Sequence, residues 1–207
     1  MRYLAIDTET TGLPKCNKYR APDFSNVWPI QVAAVLYEDG DEIDGLSRLV
    51  KYDPMPEITK ESRAIHQIED REVIDYGVDV MQAADELCEI VSEADIVIGQ
   101  NVYEFDVPVI DRVMGPIDWP EIHDTKLMWQ AYSAGMPRMD GEALDYYYGR
   151  LAGGAWRNCG QSSLAFLCNL FQVENAKEHD ALSDADACAG VFRAMGHIFE
   201  LMGVHFE

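Results

Sequence analysis

Arg2-Tyr3-Leu4-Ala5-Ile6-Asp7-Thr8-Glu9 is the stretch whose reading decides the fold. A short aromatic and β-branched run that ends in polar turn residues reads as a buried strand, with Asp7 at its carboxyl end. Beyond a polar loop with Pro14, Pro22 and the basic residues Lys15, Lys18 and Arg20, the apolar run 28–37, the turn 38–41 and the run 43–52 add two strands. The simplest reading is a three-stranded antiparallel start. Helical patterning follows at 59–65 and 80–91, the latter with Ala83, Ala84, Leu87, Ile90 and Val91 on one face. Residues 95–99 form another apolar strand. Asp106 then suits the N-cap of a helix that Gly115-Pro116 stops, and another helix runs from Asp124 through Trp129. Residues 161–171 and 183–202 also read as helices, the last with Ala187, Val191, Ala194, Met195, Ile198 and Met202 in phase. The sum is an α/β domain, a mixed sheet flanked by helices.

The 207 residues suit one domain, 1–207, and a composition that is 48% hydrophobic and 26% charged supports a substantial core. The 37 acidic residues against 16 basic ones give a net charge of −21, which excludes a surface that coats nucleic acid by neutralising many phosphates. Local contact is still allowed, because carboxylates holding divalent cations present positive charge to a phosphate. Five cysteines, Cys16, Cys88, Cys159, Cys168 and Cys188, make no C-x-x-C pair and indicate neither a disulfide framework nor a zinc knuckle. With no leader pattern and no apolar run of about 18 residues, the expectation is a cytoplasmic protein without membrane contact.

Residues i and i+2 of a strand share a face, so Asp7 and Glu9 aim at one spot. Asp106 and Asp184, each at the opening of a helix, are two further acidic positions that join them. Four converging carboxylates repel unless cations neutralise them, and an all-oxygen set suits Mg²⁺ or Mn²⁺. The plainer alternative makes each acid a cap or a solvated loop residue.

Three segments tip the balance. Asp7-Thr8-Glu9-Thr10-Thr11-Gly12-Leu13, Asn101-Val102-Tyr103-Glu104-Phe105-Asp106 and His179-Asp180-Ala181-Leu182-Ser183-Asp184-Ala185 together resemble the DEDDh branch of the DnaQ-like 3′-to-5′ exonucleases. The resemblance runs from Tyr3 to about Met202 and implies an RNase H-like fold. It implies hydrolysis of phosphodiester bonds from the 3′ end of single-stranded or frayed DNA, releasing nucleoside 5′-monophosphates, with an exoribonuclease of the same family as the alternative. Asp7, Glu9, Asp106 and Asp184 would hold two divalent cations, Mg²⁺ or Mn²⁺, and His179 would act as general base, since an imidazole accepts protons near neutral pH.

Thr10 and Thr11 lie in the turn after Glu9, where backbone amides and hydroxyls can meet the terminal 3′-OH and phosphate, and Leu13 and Phe105, apolar residues beside the acids, read either as stacking against the last two bases or as core. The resemblance also offers Asn101 and, through a partial match in which Gln67 stands for glycine, Glu61 and His66 as substrate contacts. Lys15, Lys18 and Arg20 read either as a track for the incoming strand or as a solvated loop. Residues 133–158, with Tyr146-Tyr147-Tyr148, show no clear periodicity and read as a peripheral insertion or lid. Single-stranded DNA or DNA 3′ ends are the expected partners, with RNA, a polymerase or a sliding clamp as further candidates. Gln161-Ser162-Ser163-Leu164-Ala165-Phe166 is similar to clamp-docking peptides, although Leu164, Leu167 and Leu170 have the spacing of a buried face. The competing functions are an acid-pair phosphatase, which needs Asp where this chain has Glu9, and a nucleic-acid-binding module without activity.

Overall fold

The computed structural model describes residues 1–16, 22–154 and 160–206. Strand β1 (Arg2–Thr10) is followed by a two-residue ribbon, β2 (Lys15–Cys16) with β3 (Pro22–Asp23), and by β4 (Pro29–Glu38) and β5 (Asp41–Lys51). Helices α1 (Lys60–His66) and α2 (Asp70–Tyr76) lead to β6 (Val78–Asp79) and α3 (Val80–Val91). Then come β7 (Ile96–Gly99), α4 (Asp106–Met114), β8 (Glu121–Asp124) and α5 (Thr125–Ala134). The chain closes with α6 (Leu144–Ala152), α7 (Leu164–Phe171), α8 (Ala181–Ala194) and α9 (Gly196–Leu201).

The main sheet has the order β6-β5-β4-β1-β7-β8. The β1, β4 and β5 strands are antiparallel, as the sequence indicates, whereas β7 and β8 run parallel to β1. Strand alternation sorts β1 between two cores. Tyr3 and Ala5 join Val35, Ile98 and the residues of α5 to α9, while Leu4 and Ile6 join Val32, Leu36 and Val97 under α3 and α4. Asp7 and Glu9 continue the first series and Thr8 the second, which decides what each can touch.

Several expectations are corrected. Strand β8 has one apolar residue in four, Ile122, so no periodic signal marks it; it is held as the outer strand beside β7. Asp106 is the first helical residue of α4 and not its cap, because its carboxylate is engaged by Thr8 instead. The pattern 183–202 is two helices: α8 starts earlier, at Ala181, and the chain turns at Met195. The phase persists because α9 returns Ile198 and Phe199 to the same core. Helix α7 starts at Leu164, capped by the Ser163 hydroxyl, and of the expected buried face only Leu167 is fully enclosed; Leu170 is 46% exposed. The carbonyl of Gln161 accepts from the Trp129 indole and that of Ser162 from Gln100, so the clamp-like segment is tied to the domain. Cys88, Cys168 and Cys188 carry free thiols, and Cys159 lies outside the described residues.

The largest correction concerns residues 133–158. Those described contain α6, whose Tyr147, Tyr148 and Leu151 are at most 1% exposed and belong to the core. Tyrosine hides this from a sequence reading, because burial requires a partner for each hydroxyl. Here Tyr147 donates to the Met136 carbonyl, 2.9 Å, and the Tyr148 hydroxyl lies 3.2 Å from Nδ1 of the buried His123. Tyr148→Ala should therefore cost about 3–5 kcal/mol in a denaturant melt, the range for a large buried aromatic, whereas a peripheral position would lose no more than about 0.5 kcal/mol.

Candidate active site

The four acids and the histidine meet at the carboxyl end of β1. One side-chain donor atom each from Glu9, His179 and Asp184 lies within 4.8 Å of the others. Asp106 arrives from the loop after β7, where its carboxylate accepts from the Thr8 hydroxyl at 2.6 Å. Asp184 sits in the first turn of α8 and accepts from the Asn175 amide at 2.6 Å and the His179 N–H at 3.1 Å. His179 is exposed and holds a left-handed backbone, φ 63°, just ahead of Asp180, which caps α8. Gln31, paired with Glu9 across the β1–β4 ladder, accepts from the Ala181 N–H and so pins the start of that helix to the sheet.

The electrostatics are those of crowded, buried acids. Burial pushes the Asp7 carboxyl well above its ordinary range, and Asp106, Glu9 and Asp184 push it further. Glu9 is raised to about 8 by burial and then by Asp184 and Asp106. Asp106 is raised to about 7 by burial, against the opposing hydrogen bond from Thr8. Carboxylates crowded in this way, with no Lys or Arg among the described residues leading the influences on Asp7 and Glu9, fit hard divalent cations, whose charge lets neighbouring acids stay ionised.

The other expected residues divide by where they point. Leu13, 75% exposed, and Glu61 line a cleft of about 630 Å³ beside the site, with Lys15, Trp28 and Lys60. Lys18 and Arg20 lie outside the described residues. Phe105 is partly exposed and meets Phe24 edge-on at 6.0 Å. Thr10 and Thr11 are buried and their hydroxyls face inward: Thr10 donates to the Gly12 carbonyl and Thr11 accepts from the Trp28 N–H, so they hold the turn. Asn101 is likewise a turn residue, φ 68°, with its side-chain oxygen on Lys126 at 2.8 Å. His66 is 6% exposed; Nδ1 accepts from the Ile68 N–H, and the ring faces the Thr10 backbone. Gln67 occupies the left-handed C-cap of α1, φ 60°, so the turn that glycine would favour is kept with a side chain present.

Three residues that shape the site were missed from the sequence. Thr8 reads as the filler of an acid pair, Gln31 is polar in an apolar strand, and Asn175 lies in a loop; each acts through a partner distant in the chain or across a turn. For Gln31, a lone amide within an apolar strand was the available clue.

Over residues 4–192 the chain matches the RNase T exonuclease family and belongs to it. The DnaQ-like class read from the three motifs is thus its family, and the mixed sheet is the RNase H-like fold. No curated protein matches the sequence. Among solved structures the fold is similar to Escherichia coli exonuclease I in complex with a dT13 oligonucleotide, at 17% identity and TM-score 0.68, covering 97% of this chain and 43% of that one. The zinc-bound complex of the same enzyme with single-stranded DNA gives 18% identity, TM-score 0.71 and coverages of 97% and 42%. A moderately thermophilic exonuclease I from Methylocaldum szegediense gives 19%, 0.67 and the same coverages. The chain therefore spans less than half the length of these enzymes. No helix among the described residues is long and apolar enough to cross a membrane.

Two outcomes follow from the site's electrostatics and its turn. Carboxyls whose folded pKa exceeds the unfolded value of about 4 bind more protons when folded, so they weaken the metal-free protein as pH rises from about 4 to about 8. The melting midpoint in EDTA should fall across that window, Asp7→Asn should flatten the slope, and saturating Mn²⁺ should remove it; a flat wild-type profile in EDTA contradicts the crowding. At Gln67, replacement by glycine should relieve the left-handed backbone and raise stability by about 0.5–1 kcal/mol in a thermal melt, net of the added freedom of the unfolded chain.

Proposed function

We propose that this chain is a divalent-cation-dependent 3′-to-5′ exonuclease that trims single-stranded DNA to nucleoside 5′-monophosphates. The observation that carries the reading is the meeting of Asp7, Glu9, Asp106, Asp184 and His179 at one strand end, with Glu9, His179 and Asp184 within 4.8 Å. The oligonucleotides held by E. coli exonuclease I support a single strand as substrate.

Asp7, Glu9, Asp106 and Asp184 would hold two Mg²⁺ or Mn²⁺ ions, which stabilise the charge that develops on the attacking and leaving oxygens of a phosphodiester. His179, exposed on the loop entering α8, takes the proton of the attacking water at its imidazole. Its own N–H bond to Asp184 ties that loop to the metal-binding acid. Leu13 presents an apolar edge at the cleft for the terminal bases, and Lys15 and Lys60, set among Asp23, Glu57 and Glu61, are the cleft's basic side chains for the phosphates. Thr10 and Thr11 serve by shaping the turn between Glu9 and Leu13.

A 5′-labelled single strand with Mg²⁺ or Mn²⁺ should shorten from its 3′ end, and EDTA should stop it. Release from the 5′ end, or 3′-monophosphate products, overturns the reading, and parallel digestion of matched RNA decides the sugar preference. His179→Ala should lower the maximal rate roughly 10² to 10⁴-fold with Mn²⁺ binding retained. An unchanged rate, or lost Mn²⁺ binding, would move His179 to another role.

A further inference from the structure

Asp124 ends β8, caps α5 and is fully buried. Its Oδ1 accepts from the N–H of Leu127 at 3.0 Å, an ordinary capping bond, and also from the N–H of Asn101 at 3.2 Å. Its Oδ2 accepts from the N–H of Tyr103 at 3.1 Å. Capping alone would be served by Ser, Thr or Asn. The two remaining bonds reach across to residues 100–105, the loop that delivers Asp106, and both carboxylate oxygens are needed to make them.

That loop is narrow in its choices. Asn101 takes a left-handed backbone, and its carbonyl accepts from Glu104 at 3.2 Å and Phe105 at 3.0 Å. Val107 donates to the Val102 carbonyl at 3.1 Å, so the turn runs directly into α4. A Cβ on Gly99 would come within 2.5 Å of the Val102 Cβ, which shows how closely the loop folds back on the end of β7. Lys126, two residues beyond Asp124, holds the Asn101 side chain. The amino end of α5 thus grips the backbone of the loop at two consecutive odd positions, while Thr8 steers the Asp106 carboxylate from the sheet.

We propose that Asp124 is a positioning residue for the metal-binding acid Asp106: its two oxygens fix the loop that sets where Asp106 stands relative to Asp7. The proposal rests on the exonuclease reading for its catalytic part and on cation binding for the rest. Hydrogen-bond partners of metal ligands typically change metal affinity or activity 10 to 100-fold when removed, and Asp124 acts one step behind through the backbone.

Two variants separate positioning from folding. Asp124→Asn keeps the size but turns an amide NH₂ toward a backbone N–H, and Asp124→Ser keeps a helix cap too short to reach the loop. Val91→Ala, at the opposite end of the sheet from the site, is the control for a comparable loss of stability. Mn²⁺ affinity by calorimetry should fall about 10-fold or more in both Asp124 variants, with kcat on a single strand down about 10 to 100-fold and KM within about two-fold. The control should match wild type in all three. Folded Asp124 variants that bind Mn²⁺ and turn over like the control overturn the proposal, as does failure of both to fold, which would make Asp124 a stability residue. A wild type that binds Mn²⁺ but digests no 3′ end defeats the exonuclease reading, and the calorimetry still decides the part of Asp124.

Discussion

The repulsion among carboxylates at the end of β1 is the constraint on which the rest of the structure depends. Burial raises Asp7, Glu9 and Asp106, and neighbouring acids raise Asp7 and Glu9 further, so the metal-free fold carries a local cost at neutral pH that its core must offset. The offset comes from both faces of the sheet at once. Alternation along one strand sends Tyr3 and Ala5 into the layer of α5 to α9 and Leu4 and Ile6 into the layer of α3 and α4. A strand anchored by two cores can present acids at its tip without fraying.

The same alternation assigns the partners of the site. Asp7 and Glu9 face the layer that contains α8, and so they meet Asp184 and the His179 loop. Thr8 faces the layer that contains α4, and so its hydroxyl meets Asp106. One three-residue segment thereby draws together two helices that lie on opposite sides of the sheet. Arrival of Asp106 and Asp184 at a common point then depends on how each helix is started. Asp184 relies on Asp180 and Gln31, and Asp106 relies on the turn organised by Asn101.

What was legible in the sequence was what repeats locally. The strand β1, the antiparallel trio, the amphipathic α3 and the three acid-bearing segments all declare themselves through spacing within a few residues. What was not legible depends on distant partners or on side chains of mixed character. Strand β8 is too polar for a hydrophobic period, and its buried His123 and Asp124 are satisfied by Glu121 and Tyr148 and by Leu127 and the 100–105 loop. Helix α6 was hidden by tyrosines, whose rings belong to the core while their hydroxyls read as surface. The inward hydroxyls of Thr10 and Thr11 were masked by a motif in which polar residues suggest contact with ligand. Asp124 was one acid among 37, and its bonds to Asn101 and Tyr103 cross more than twenty positions of chain.

Tyr103 carries a consequence for how such a domain can change over generations. Its hydroxyl donates to the Asp145 carbonyl at 3.2 Å and its ring lies 5.8 Å from that of Tyr148, so α6 touches the very loop that bears Asp106. The proposed roles of the clustered acids and His179 leave those side chains little room for substitution. Helix α6 is restricted only on its buried face, by Tyr147, Tyr148 and Leu151, while Tyr146 on its outer face is 68% exposed; a shift of its backbone is transmitted by one hydroxyl to the loop behind the acids. Variation on the outer face of α6 thus has a mechanical route to the placement of Asp106, without any change in the clustered acids themselves.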